Sequence, residues 1–186
     1  MTRIKTERLF NKSGFSLLEF TLALAIIAAL ISVLIPKLNG LQDDAHQASV
    51  QLTANSLRSA VNLTHSFWQS QGSKNQSALL KGFGRGNILM GKKGWPVDAI
   101  SLNVDDVKAA STRSPRNSST CIRLWNGLLK DSAPKVAKVA EDINVTTNVA
   151  YFVQFTKGIC RYRYRLTQDE LRIDYDLATG RVIPIF

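Results

Sequence analysis

The chain has 186 residues, a formal net charge of +10 and 45% hydrophobic residues. That length suits one folded domain with room for an anchor, and the composition excludes a wholly disordered chain. Two cysteines, Cys121 and Cys160, permit a single internal disulfide.

Residues 1–14 carry Arg3, Lys5, Arg8 and Lys12 against Glu7, a basic segment of net charge +3. An apolar run of 21 residues follows, Phe15 to Ile35, with one charge, Glu19. About 20 apolar residues cross a bilayer as a helix. The basic residues before the run, against the lone Lys37 after it, favour a cytoplasmic N-terminus. Everything beyond Pro36 then lies across the membrane, where a disulfide persists.

A secretory signal is cut after its apolar run, at small residues. Here the run ends in Val33-Leu34-Ile35-Pro36-Lys37, and the small residue, Gly14, precedes it. Cleavage after Gly14 removes the basic segment, keeps the apolar helix and leaves a cationic amine on Phe15. Glu19 is one helical turn along. A carboxylate in lipid is expensive alone and much less so when paired with a cation. Pairing with the amine of a neighbouring, axially shifted helix drives assembly and sets its register. The carboxylate also complements the positive end of the helix dipole.

Gly14-Phe15-Ser16-Leu17-Leu18-Glu19 resembles the prepilin cleavage and methylation motif of type IV pilins and pseudopilins. The resemblance covers the leader and about the first 25 residues after it. It implies cleavage between Gly14 and Phe15 by a prepilin peptidase, N-methylation of Phe15, and Glu19 as the assembly contact. Pro36 falls at the mature position where the family commonly has a proline. The partners implied are other pilin subunits, the peptidase, an inner-membrane assembly platform and, before assembly, the membrane itself. The implied location is the bacterial inner membrane, then a periplasmic or cell-surface filament.

Pro36 lacks a backbone N–H and is expected to kink or open the helix, and Asn39-Gly40 weakens it further. Leu57, Ala60, Val61, Thr64, Phe67 and Trp68 then form a helical stripe, with Leu41, Ala45, Ala48 and Leu52 extending it upstream. Residues 41–70 read as an amphipathic helix stopped by Gln71-Gly72-Ser73. Glycines crowd residues 72–94, so 72–120 reads as loop-rich, with Gly94-Trp95-Pro96 a turn or edge element. Cys121-Ile122-Arg123-Leu124-Trp125 reads as a possible strand. Val149 to Phe155, Ile159 to Leu166 and Leu171 to Leu177 read as strands of an antiparallel meander. Their turns are Thr156-Lys157-Gly158, Thr167 to Glu170 and Ala178-Thr179-Gly180. The expected class is α+β, a long helix followed by a sheet. The expected order is leader 1–14, membrane or filament-core helix 15–35, spine helix 36–71 and head 72–186. With the motif above, this resembles the type IV pilin architecture.

In an exported chain Cys121 and Cys160 read as a structural disulfide, the alternative being two separate thiols. A bridge closing about 40 residues contributes roughly 4 kcal/mol in the loop-entropy picture. Gly86 to Lys93 is a near miss to a P-loop, lacking the Ser or Thr after the lysine, and reads as a flexible basic loop. His46 and His65 lack any metal-ligand spacing and read as polar helix surface. Asp105, Asp106, Asp169, Glu170, Asp174 and Asp176 lack EF-hand spacing and read as solvated turn charges, though some pseudopilins bind calcium. No catalytic constellation, metal site or cofactor is readable.

Arg161, Arg163 and Arg165 alternate along one strand face and are a speculative anion-binding row for DNA or an acidic glycan. The plainer alternative is pairing with Asp174 and Asp176 on the next strand. The resulting expectation is a structural, non-enzymatic pilus subunit, a minor pilin supporting adhesion and surface attachment. Gly94-Trp95-Pro96 and the stretch Asp174 to Gly180 resemble, more weakly, mannose-sensitive haemagglutinin-type pilins. A type II secretion pseudopilin and a DNA- or surface-binding minor pilin are the alternatives.

Overall fold

A computed structural model describes residues 16–72, 79, 80, 82, 83, 87–100, 115–130, 133–138, 148–167 and 169–186, with the side chains of 36–39 not among them. The described elements, in chain order, are α1 (Leu17–Ser70), β1 (Ile88–Met90), β2 (Pro96–Ala99), α2 (Ser118–Leu129), β3 (Val136–Lys138), β4 (Tyr151–Thr156), β5 (Ile159–Tyr164), β6 (Arg172–Asp176) and β7 (Val182–Ile185). The class is α+β. The chain divides into two compact units, Met1–Gln42 and Asp43–Phe186.

The first unit contributes the start of α1. Its described side chains, from Ser16 through Ile35, are all exposed. The helix is long and apolar enough to cross a membrane. Position 36 lies inside α1, which is helical throughout its range. Gly14 and Phe15, the expected cleavage residues, and the expected leader 1–14 lie outside the described residues.

The second unit begins within α1. Its part of that helix buries Val50, Ala54, Leu57, Val61 and Thr64. These positions alternate steps of four and three, one face of a helix. Thr64 is tolerated in the core because its hydroxyl donates to the Ala60 carbonyl at 2.6 Å. The upstream extension expected through Ala45, Ala48 and Leu52 is corrected, because all three are exposed. Two apolar stripes interleave along this helix, and periodicity alone does not say which one meets the sheet. Gly72 ends the helix region with φ +83°, a backbone conformation in which glycine carries no Cβ penalty.

Five strands form one sheet in the order β3-β4-β5-β6-β7. The meander β4 to β7 is antiparallel, as the alternation predicts, whereas β3 pairs parallel with β4. The sheet is therefore mixed, a correction to the all-antiparallel expectation. Lys157 and Gly158 form the two-residue β4–β5 loop, both with positive φ (49° and 83°), the pattern of a type I′ hairpin. The inner face buries Tyr151, Val153, Cys160, Tyr162, Tyr164, Ile173, Tyr175 and Val182. These side chains share one core with Val50, Ala54, Leu57 and Val61 of α1.

The strand expected at Cys121–Trp125 is a helix. Asn117 caps it: its side chain accepts from Thr120 N at 3.2 Å, while Thr120 Oγ1 accepts from Asn117 N at 3.4 Å. Cys121, Leu124, Trp125 and Leu128 then occupy its buried face at helical spacing. Gly127 lets α2 approach the β1–β2 hairpin, since a Cβ there would stand 2.5 Å from Ala99 Cβ. The loop-rich expectation for 72–120 is likewise corrected where residues are described: β1 and β2 pair as an antiparallel hairpin.

Candidate functional site

Three places carry the residues singled out by the sequence. The first is the start of α1. Glu19 lies in its first turn and is exposed, surrounded along the helix by Leu17, Leu18, Phe20 and Leu22, all exposed. A carboxylate there complements the helix dipole. Thr21 and Ser32 return their hydroxyls to Leu18 O and Ala29 O at 2.9 and 2.8 Å, so neither presents a free polar group to an apolar solvent.

The second place joins the Gly-Trp-Pro turn to the β6–β7 turn. Trp95 stacks on His65 with ring centroids 3.9 Å apart. Its six-membered ring lies against Gly180, where a Cβ would overlap it. Gly94 lies against Trp68 in the same way. Tyr175 donates its hydroxyl to the Pro96 carbonyl at 2.8 Å. His65 Nδ1 donates to the Gly94 carbonyl at 2.6 Å, since a carbonyl only accepts. Nε2 then accepts from Gln69 at 3.0 Å. Asp176 closes the turn, accepting from Ala178 N at 2.8 Å and Thr179 Oγ1 at 2.6 Å. The Thr179 hydrogen bond, more than the backbone ones, holds the Asp176 carboxyl below its ordinary value.

Both histidines depart from the expected polar surface. His46 Nδ1 lies 3.0 Å from the Tyr164 hydroxyl, and its ring tilts against that tyrosine. Each ring is half-buried and links α1 to the head. The near-P-loop stretch, where described, is strand β1 and the tight turn Gly91–Gly94, which leads into strand β2 rather than a helix. Asp105 and Asp106 lie outside the described residues. No group of three or more His, Cys, Asp or Glu side chains able to hold a metal ion occurs among the described residues.

The third place is the outer face of the sheet. Arg161 forms a two-pronged ion pair with Asp174, both hydrogen bonds 3.1 Å long, directly across from it in register. Those bonds raise the Arg161 pKa above its ordinary value. Arg165 donates to the Val149 carbonyl at 3.2 Å and lies over the Phe152 ring, 5.2 Å from its centroid. Arg163 is exposed and opposite Arg172, a residue the sequence did not single out. Strand alternation puts Arg172 on a polar face, but its partner follows only from the register set by the turn length. Arg172 reaches Glu170 and Asp174 at 3.8 Å, and its buried Nε–H has no hydrogen-bond acceptor.

Cys121 of α2 and Cys160 of β5 are joined as a disulfide, Cα–Cα 5.6 Å, fully buried. The Tyr162 hydroxyl, beside the bridge, donates to the Cys121 carbonyl at 3.0 Å. No protein family, curated protein or solved structure matches the chain.

Proposed function

We propose that this chain is a type IV pilin-like subunit. A basic leader directs it into the membrane. A prepilin peptidase cuts between Gly14 and Phe15 and methylates the new Phe15 amine. The helix then leaves the bilayer for a filament, and the head stays outside. The observation that carries this reading is one helix on which the motif residue Glu19 stands in the first turn of an unburied apolar stretch.

The physics of that helix supports the proposal. Its leucines and isoleucines from Leu17 to Ile35 are exposed among the described residues, and each gains about 1.5–3 kcal/mol when removed from water. Lipid provides such an environment before assembly, and neighbouring copies of the helix provide it afterwards. Dispersion and apolar burial are non-directional and do not fix an axial register. Glu19 does: once in the apolar bundle it requires a cation, and the Phe15 amine of an adjacent subunit is the available one. The head, with its disulfide and α+β core, suits the oxidising outer compartment. A structural, non-enzymatic role in surface attachment follows, as a minor pilin. The Gly-Trp-Pro turn and the stretch Asp174–Gly180, which pack together at Trp95, support the mannose-sensitive haemagglutinin-type subgroup.

The Glu19→Ala variant tests the proposal. It is expected to lose its leader normally and remain in the membrane fraction, while its amount in sheared filaments falls about tenfold or more, the scale of one unpaired charge. Wild-type incorporation of the variant would refute the register role of Glu19.

A further inference from the structure

We propose that Tyr164 and His46 form a proton-coupled radical site that collects one-electron oxidations from the aromatic core beside the disulfide. This inference is independent of the filament reading. It starts from a continuous set of ring contacts. Centroid to centroid, Tyr162 is 4.4 Å from Trp125, Trp125 is 5.3 Å from Tyr151, Tyr151 is 5.2 Å from Tyr164, and Tyr164 is 5.6 Å from His46. These are the separations of packed aromatic pairs. The set begins at the disulfide, because Tyr162 donates to the carbonyl of Cys121, which is bridged to Cys160. It ends at His46, whose ring is half-buried, whereas Trp125 and the three tyrosines are buried.

Electrons pass along such a set, and protons decide where the oxidation settles. Oxidising a phenol makes its O–H strongly acidic, so a neutral tyrosyl radical forms readily only where a base takes the proton. The chain has four tyrosines, and their hydroxyls meet different partners. Tyr162 and Tyr175 donate to the carbonyls of Cys121 and Pro96, which accept a hydrogen bond but do not take a proton. The Tyr151 hydroxyl is buried without a hydrogen-bond partner among the described residues. Tyr164 meets a base, His46 Nδ1, at 3.0 Å. In the tautomer with its hydrogen on Nε2, Nδ1 accepts from the Tyr164 hydroxyl, and imidazole is the side chain that takes up protons near neutral pH. The step balances as follows. A one-electron oxidant, an inorganic radical such as carbonate or azide radical, takes an electron from Trp125 and becomes its anion. Trp125 regains an electron from Tyr164 through the Tyr151 ring. The Tyr164 O–H bond breaks and an N–H bond forms at His46 Nδ1, leaving a neutral tyrosyl radical and an imidazolium. The oxidation thereby leaves the buried indole and stops at the ring pair that reaches the surface.

The test is pulse radiolysis of the full chain in detergent micelles, with azide radical as the oxidant. Tyrosyl radical is followed by its absorbance and, after freeze-quenching, by electron paramagnetic resonance. In the wild type it is expected to appear as the indolyl radical decays, and more slowly in heavy water. Tyr164→Phe keeps the ring and is expected to lose the tyrosyl signal, whereas Tyr175→Phe is expected to retain it. His46→Gln keeps a hydrogen-bonding side chain but no base, and is expected to form tyrosyl radical about a hundredfold more slowly, the scale of a removed proton acceptor. Tyr164→Phe removes a single oxygen atom and keeps the test readable if His46→Gln loosens α1. A wild-type tyrosyl yield in Tyr164→Phe would overturn the site. An unchanged rate in His46→Gln, or the absence of a heavy-water effect in the wild type, would overturn proton transfer to His46.

Discussion

Trp95 occupies a slot whose floor is a missing side chain. Its indole lies on Gly180 and stacks on His65, so one aromatic joins α1 to the β6–β7 turn. Gly180 also has φ +71°, a conformation L side chains rarely adopt. Gly180→Ala therefore adds both a steric overlap and a backbone penalty. The expected loss of folding stability is about 2–4 kcal/mol, measured by denaturant unfolding followed through tryptophan fluorescence. An unchanged midpoint would mean that Trp95 is free to leave the slot. Glu19 is the opposite case. No ion-pair partner for it occurs among the described residues, and under the proposed function its partner is the Phe15 amine of another subunit.

The inner face of the sheet is an element with its own pH dependence. Burial pushes the Tyr151 phenol up to about 12 and raises Tyr162 and Tyr175 as well. Thr53 would lower Tyr151, but its hydroxyl donates to the Ser49 carbonyl at 2.9 Å. In each case the fold favours the neutral phenol, so the unfolded chain releases its proton first. The stabilisation is complete below about pH 10, the ordinary tyrosine value, and declines as pH rises toward 12. Each such tyrosine costs about 1.4 kcal/mol per pH unit in that window. Thermal melts between pH 8 and pH 11 are expected to show a steep fall in Tm above about pH 10. A flat profile would contradict the buried, neutral assignment.

The same element shows how much of the fold is legible in the chain. Alternation in Ile159–Tyr164 and Arg172–Asp176 identifies β5 and β6, because a half-buried strand repeats every two residues. It also puts Arg161 and Asp174 on polar strand faces, and the register then sets them opposite each other. The short, parallel β3 has three residues and no such pattern to read. Cys121–Trp125 is apolar, aromatic and short, which fits a strand as well as a buried helix turn. The cap at Asn117, with Thr120 three residues on, is the signal that separates them. Arg172 and the Trp95 slot depend on register and on contacts distant in sequence, His65 to Trp95 to Gly180. No local spacing encodes those.

At the scale of the whole chain, two units pose two different physical problems. Unit Asp43–Phe186 solves its own, with a disulfide-linked core of aromatic and aliphatic side chains. The apolar part of unit Met1–Gln42 buries none of its described side chains. Lipid alone accommodates the leucines and isoleucines but leaves Glu19 unpaired. The proposed filament of processed subunits would accommodate both, given an amine created at Phe15 by cleavage. The account therefore turns on one covalent event. The measurement that tests it most directly is intact-mass and N-terminal analysis of the protein recovered from membranes of cells with an active prepilin peptidase. The account predicts a chain that begins at N-methylated Phe15. A chain that retains residues 1–14 would contradict it and leave an ordinary membrane anchor.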